Sequence, residues 1–305
     1  MWQAFEEELG KSVAERLAEG LFGPAALFGL GLVAAWAEVV YGGLPAAWRA
    51  WQARPLEVQA VALFLWAVAV VALDGVMAAF RDVWLRLLEG YHWPGWLRRW
   101  RVRAWARRAR AWKQAWQALK AREMGLSPGA PPPTRAEGER LAVLETRLHH
   151  LPPREEALMP TALGNVLAAA EAAVRHRYGL DPIIVWPHLW LVLPEPAREA
   201  LSQARQRLDR AAEGVLWGLL FAGVAGPWAG WAAPLGLLAA WLAYRLAVAR
   251  AAVFGELVRA AFDLHRLALY DALGWPRPSP EDEVEAGRRL TAFLWRGTKT
   301  PSKAS

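Results

Sequence analysis

The stretch VQAVALFLWAVAVVALDGVMAAF, Val58 to Phe80, holds 23 residues with a single ionisable side chain, Asp74. At about 1.5 Å per residue it is long enough to cross a ~30 Å hydrocarbon core, and it reads as a transmembrane helix. Directly after it, from Arg81 to Lys120, stand eleven Lys or Arg and only two acids, Asp82 and Glu89. Basic residues beside a span stay cytoplasmic, so this run sets the orientation expected for the whole chain.

Working outward, residues 21–43 (LFGPAALFGLGLVAAWAEVVYGG) form a second apolar run, joined to Val58 by a connection rich in Trp and Arg: Trp48, Arg49, Trp51 and Arg54. The two runs read as an antiparallel hairpin with an interfacial outer loop. Gly23, Gly29 and Gly31 allow close backbone approach. Toward the C-terminus, 214–231 and 232–254 read as a second hairpin, turned at Gly226-Pro227 and Pro234. Counting basic residues at the ends of the four spans places both termini in the cytoplasm. Residues 1–20 put Trp2, Phe5, Leu9, Val13 and Leu17 on one helical stripe, an amphipathic helix that begins with acids rather than the positive patch of a signal peptide.

The expected architecture is an all-α integral membrane protein with four transmembrane helices in two hairpins and a helical cytoplasmic domain between them. Its segments are the N-terminal helix (1–20), the first hairpin (21–80), and a basic cytoplasmic domain (81–212) with a Pro-rich linker at 125–135. The second hairpin (213–254), the C-terminal helices (255–296) and a disordered tail (297–305) follow. Within the cytoplasmic domain, Thr161 caps a helix that Gly179 ends, and the apolar segment 183–194 is too short to span and carries Pro187.

Composition narrows the chemistry. The chain has 305 residues, 55% of them hydrophobic, with 20 Trp, no Cys and a net charge of +7. The absence of Cys excludes disulfides, thiolate nucleophiles and Cys-ligated metals. Arg outnumbers Lys by 31 to 5 and Asn165 is the sole Asn, a usage that fits a GC-rich genome. The positive charge is read as serving anionic lipid headgroups: Arg98, Arg99, Trp100, Arg101 and Arg103 form a lipid-facing basic and aromatic set. The same interleaving of Arg and Trp suits single-stranded nucleic acid, but lipid suffices to explain it and nucleic acid is not expected.

No phosphate loop, dinucleotide fingerprint, nucleophile elbow or zinc-protease helix is present. Glu145, His149 and His150 supply too few ligands for a metal on one helix face. Asp263, Arg266 and Asp271 near His265 read as surface ion pairs, Arg259 with Asp263 and Asp263 with Arg266. No cofactor and no catalytic residue is expected. The intramembrane charges Asp74, Arg245 and Glu38 weigh more, because a charge in hydrocarbon needs a partner or water. Asp74 and Arg245 come out at similar depth, as an ion pair or as the lining of a pore; Glu38 sits near the outer surface.

The segments PTALGNVLAAAE (160–171), RHRYGLDPIIVWPHLWLVLP (175–194) and FDLHRLALYDALGWPRPSPEDE (262–283) resemble a family of uncharacterised bacterial multi-pass membrane proteins. In that family Pro-Thr-x-Leu-Gly-Asn, Arg-Tyr-Gly and Trp-Pro-x-Leu recur in this order. The resemblance covers about a quarter of the chain and implies a membrane-linked cytoplasmic module without assigned activity. On it, Thr161, Gly164, Asn165, Tyr178, Trp186, Pro187 and Trp190 are candidate module residues: Gly164 for close backbone approach, Asn165 for bridging a turn, the Trp residues for anchoring at the interface.

The functional expectation is a non-enzymatic, multi-pass protein of the bacterial cytoplasmic membrane that acts as an anchored interaction, sensing or effector module. Its partners would be anionic lipid, a cytoplasmic protein or further copies of itself. A homo-oligomeric ion channel or pore is the alternative, and a membrane-embedded enzyme the second alternative.

Overall fold

The computed structural model describes residues 23–126 and 131–297. The expected N-terminal amphipathic helix, the middle of the Pro/Gly linker and all but the first residue of the expected tail lie outside the described residues. Ten α-helices and no strand occur among the described residues. They are α1 (Pro24–Tyr41), α2 (Leu44–Gln52), α3 (Leu56–Glu89), α4 (Gly95–Glu123), α5 (Arg135–His149), α6 (Ala162–Tyr178), α7 (Pro182–Val192), α8 (Glu195–Ala225), α9 (Ala232–Ala272) and α10 (Glu283–Arg296). Contacts divide the chain into two units: Met1–Leu85 with Asp209–Ala247, and Arg86–Leu208 with Val248–Ser305. Helices α3, α8 and α9 each contribute residues to both.

In the first unit the usual burial pattern is inverted. Three helices, α1, α3 and α9, are long and apolar enough to cross a membrane, and in the most apolar window of α3 only 6% of residues are buried. Leu27, Val39, Phe64, Phe80 and Leu237 stand more than half exposed. A helix apolar on every side needs either protein or lipid around it. The four-span expectation is not met in full: the run expected to cross at 214–231 is the last part of α8 plus a turn, and α8 carries Asp209, Arg210 and Glu213 just before its apolar end. Those charges keep α8 below the hydropathy of a span, which a reading centred on the apolar run alone overlooks.

The end of α8 nevertheless packs tightly on α9. A Cβ on Gly218 would lie 2.6 Å from the Ala240 backbone nitrogen, and one on Gly236 would lie 2.6 Å from that of Ala222. Gly214, Gly218 and Ala222 recur every fourth residue and so share one helix face, the small-residue stripe that lets helices meet backbone to backbone where no hydrophobic force drives them together. Phe28 of α1 joins this hairpin through Trp217, with ring centroids 5.0 Å apart, and a Cβ on Gly31 would strike the Phe221 ring at 2.7 Å.

Charges fasten α3 to α8 in a way the sequence reading assigned differently. Asp74 and Arg245 form no ion pair with each other; the Arg245 guanidinium sits 5.8 Å from the Trp241 ring centroid instead. The ion pair joins Arg81 and Glu213, with the Glu213 side chain 9% exposed. Beside it Trp84 Nε1 donates to the Ala212 carbonyl at 2.7 Å. Removing one member leaves the other poorly solvated. Arg81→Gln or Glu213→Gln is therefore expected to destabilise the protein by about 1–3 kcal/mol, with part of the loss recovered in the double variant. Unfolding in detergent by a denaturing surfactant measures this, and strictly additive losses would show that the two are not coupled.

The second unit is built as in a water-soluble protein. Val185 and Leu189 of α7, Leu201 of α8, Phe262 and Leu269 of α9, and Leu290 of α10 are all at most 3% exposed and form one core, each worth about 1.5–3 kcal/mol by burial. α4 and α5 form an antiparallel pair that begins with a capping box, in which Thr134 and Glu137 satisfy one another's backbone donors. Gly179 ends α6 at φ 66°, and a Cβ there would lie 1.9 Å from the Val284 carbonyl of α10. The His265 region is corrected too: Arg259 pairs with Glu256, Arg266 with Glu283, and Asp263 takes Arg177 and the Tyr178 hydroxyl.

Candidate functional site

The stretch from Met159 to Asn165 makes a densely hydrogen-bonded turn in the second unit. Thr161 adopts extended backbone geometry as the N-cap of α6, and its hydroxyl accepts from Gly164 N–H at 2.9 Å. The same hydroxyl donates to the carbonyl of Glu89, the last residue of α3, at 2.9 Å. That contact requires glycine at 164, since a Cβ there would lie 2.3 Å from the Glu89 carbonyl oxygen. Gly90, at φ 100°, carries the chain away in a conformation that L side chains rarely adopt, and Pro160 fills the space a Cβ would need. The Pro160 carbonyl in turn accepts from Arg101 Nε at 3.3 Å and Trp105 Nε1 at 3.2 Å.

Asn165 closes the turn from inside. It is 1% exposed, its Nδ2 donates to the carbonyls of Met159 (3.0 Å) and Thr161 (2.8 Å), and its Oδ1 accepts from Met159 N–H (2.8 Å). A carboxamide presents two N–H donors and a carbonyl acceptor on one short side chain, a set that neither a carboxylate nor an aliphatic group of the same size offers. Asn165→Ala is expected to cost about 2–5 kcal/mol, because the Met159 N–H and carbonyl lose their buried partner. Thermal unfolding measures it; Asn165→Asp, which would set a buried carboxylate against the Met159 and Thr161 carbonyls, should cost at least as much as Ala at neutral pH.

Beside this turn lies a cavity of about 310 Å³ lined by Glu89, Tyr91, Gly164, Glu171, Trp186 and Arg205 among others. Glu89 and Glu171 line it together with the Arg205 guanidinium, which is also 6.0 Å from the Phe254 ring centroid. Burial pushes the Glu171 carboxyl above the usual range, and Arg175, 3.6 Å away, pulls it back only in part. A carboxyl raised in the folded state favours folding below its ordinary value of 4.5, and that contribution is lost as pH rises through the raised value. Glu171→Gln should therefore flatten the fall in unfolding midpoint as pH increases from about 4.5 toward neutrality; parallel curves for parent and variant would show that Glu171 is not the source.

The remaining sequence candidates are spread over several places. Tyr178 is buried, with Arg266 4.2 Å from its ring centroid and its hydroxyl on Asp263. Trp186 packs between Trp190 and Phe262, at 5.9 and 6.2 Å between centroids. Pro187 lies exposed inside α7. Arg98, Arg99, Trp100 and Arg103 are exposed on α4, while Arg101 turns inward to Pro160. Glu38 accepts from Trp231 Nε1 at 2.8 Å in the first unit, and Asp74 is half-buried there. Glu145 accepts from Trp116, and His149 meets Glu256. Sequence reasoning missed the cavity carboxylates Glu89 and Glu171 and the cation Arg205, because they come from three helices far apart in the chain. Comparison with family models, with curated proteins and with solved structures returns no match.

Proposed function

We propose that the chain is a multi-pass protein of the bacterial cytoplasmic membrane and serves as a non-enzymatic, anchored interaction, sensing or effector module. In this reading the apolar end of α8 completes a second hairpin with α9, giving four crossings, with both termini and the second unit in the cytoplasm. The observation that carries it is the contrast in burial: α3 leaves nearly all of its most apolar window uncovered, whereas the helices of the second unit share a closed core. The exposed Arg98, Arg99, Trp100 and Arg103 would meet anionic headgroups, and Ile183 and Leu191, 63% and 77% exposed on α7, would lie against lipid or a protein partner.

A second reading, a homo-oligomeric channel, has Arg245 in its favour. This exposed guanidinium sits in the apolar part of α9 with the Trp241 ring beside it and no carboxylate partner among the described residues. A further copy or a water-filled lumen would supply what the single chain does not.

The Cys-free sequence allows a direct test. A single Cys at Gln52 should react with a membrane-impermeant maleimide in intact cells, and one at Glu139 only after lysis. Reaction at Glu139 in intact cells would reverse the orientation. The mass of the purified protein in detergent separates the two functional readings: a monomer removes the channel, and a symmetric ring favours it.

A further inference from the structure

Several guanidinium groups of the second unit pair with a carboxylate, as in Arg110 with Glu155, Arg122 with Glu137 and Arg277 with Asp271. One basin instead gathers its cations around a single acid. A cavity of about 680 Å³ opens between the turn at residues 153–157, the end of α6 and the outer face of α10, and Arg154, Arg175, His176, Arg288 and Arg296 line it against a single carboxylate, Asp181. Asp181 is itself committed: it holds Arg175 through two bonds of 3.1 Å and caps α7 by accepting from Ile183 N–H at 3.0 Å. Arg288 has only a loose surface contact with Glu285, at 3.6 Å. Arg154, His176 and Arg296 make no ion pair among the described residues. The remaining wall includes Ile184 and Trp295.

We infer that this basin binds a phosphate-bearing anion whose organic part rests against Ile184 and Trp295. Guanidinium groups arriving from three separate elements suit an oxyanion whose oxygens point in several directions, and each charge-assisted bond adds both strength and geometry. The volume falls in the range of small-molecule sites. The phosphate belongs either to a soluble ester or to a lipid headgroup, and both present the same chemistry to the arginines. The assignment stands independently of the anchoring role, since it uses no residue of the first unit.

The test uses the full chain in neutral phosphatidylcholine nanodiscs and isothermal titration with two probes, glycerol 3-phosphate and dioctanoyl phosphatidic acid. Saturable binding is expected, weakened at least about tenfold, or 1.4 kcal/mol, in Arg154→Gln/Arg296→Gln, and absent for glycerol and dioctanoylglycerol. Both substitutions are at exposed positions, and an unchanged unfolding midpoint confirms that the fold is intact. Binding of glycerol 3-phosphate assigns a soluble ester, and binding of the lipid probe alone assigns a headgroup. Equal affinity in the double variant, binding of the phosphate-free controls, or no saturable binding of either probe would overturn the inference. Failure of the maleimide topology test would leave this result unaffected, so the two readings fall separately.

Discussion

The structure depends first on a mismatch between apolar surface and protein available to cover it. Helix α3 is 34 residues long, yet only 6% of its most apolar window is buried. In water each exposed Leu, Val or Phe on that window would add to the cost of hydration, and the described residues leave that window almost wholly uncovered. A lipid environment removes the demand, because there the apolar face is the solvated one. It also removes the force that drives helices together in water. What holds the first unit is then close fit and polar bonding: the Gly214, Gly218 and Ala222 stripe against Gly236 and Ala240, and the Arg81–Glu213 pair beside Trp84.

The second unit answers a different constraint, the saturation of buried backbone groups. Its sharpest expression is the turn from Met159 to Asn165, where a threonine hydroxyl both accepts and donates, and one carboxamide satisfies three main-chain groups. Glycine is required at two points there for unlike reasons. Gly90 supplies a backbone conformation that other residues avoid, while Gly164 has ordinary helical geometry and supplies only the absence of a Cβ. The turn therefore fixes the end of α3, the side of α4 and the start of α6 in one place.

Much of this was legible in the chain. Helix limits in the second unit follow in part from local signals, Thr161 as a cap and Gly179 in the left-handed region, whereas Thr134, read as part of the linker, proves to cap α5. The bridging role of Asn165 rests on the motif it belongs to, and its place in the first turn of α6 lets the carboxamide reach back to Met159 and Thr161. The third apolar run, 214–231, reads as a span when taken alone, but α8 continues through Asp209, Arg210 and Glu213 without a boundary and is not among the helices long and apolar enough to cross a membrane. The cavity around Glu171 and the basin around Arg154 were invisible, because each gathers side chains from elements separated by many residues, and no periodicity within one helix reports such a meeting.

The charges within the long apolar helices show most plainly where one-dimensional reasoning stops. Depth along a span can be estimated by counting residues, and by that measure Asp74 and Arg245 matched. Pairing also requires that the two faces meet, and a helix turns 100° with each residue, so depth alone leaves the azimuth open. Asp74 and Arg81 are seven residues apart and share one face of α3, and Arg81 on that face meets Glu213 of α8. Asp74 therefore points toward the side that α8 occupies, and Arg245 on α9 falls to a different neighbour, the Trp241 ring one turn away. Glu213, one of the three charges that precede the apolar end of α8, is thus also the acid that fastens α8 to α3.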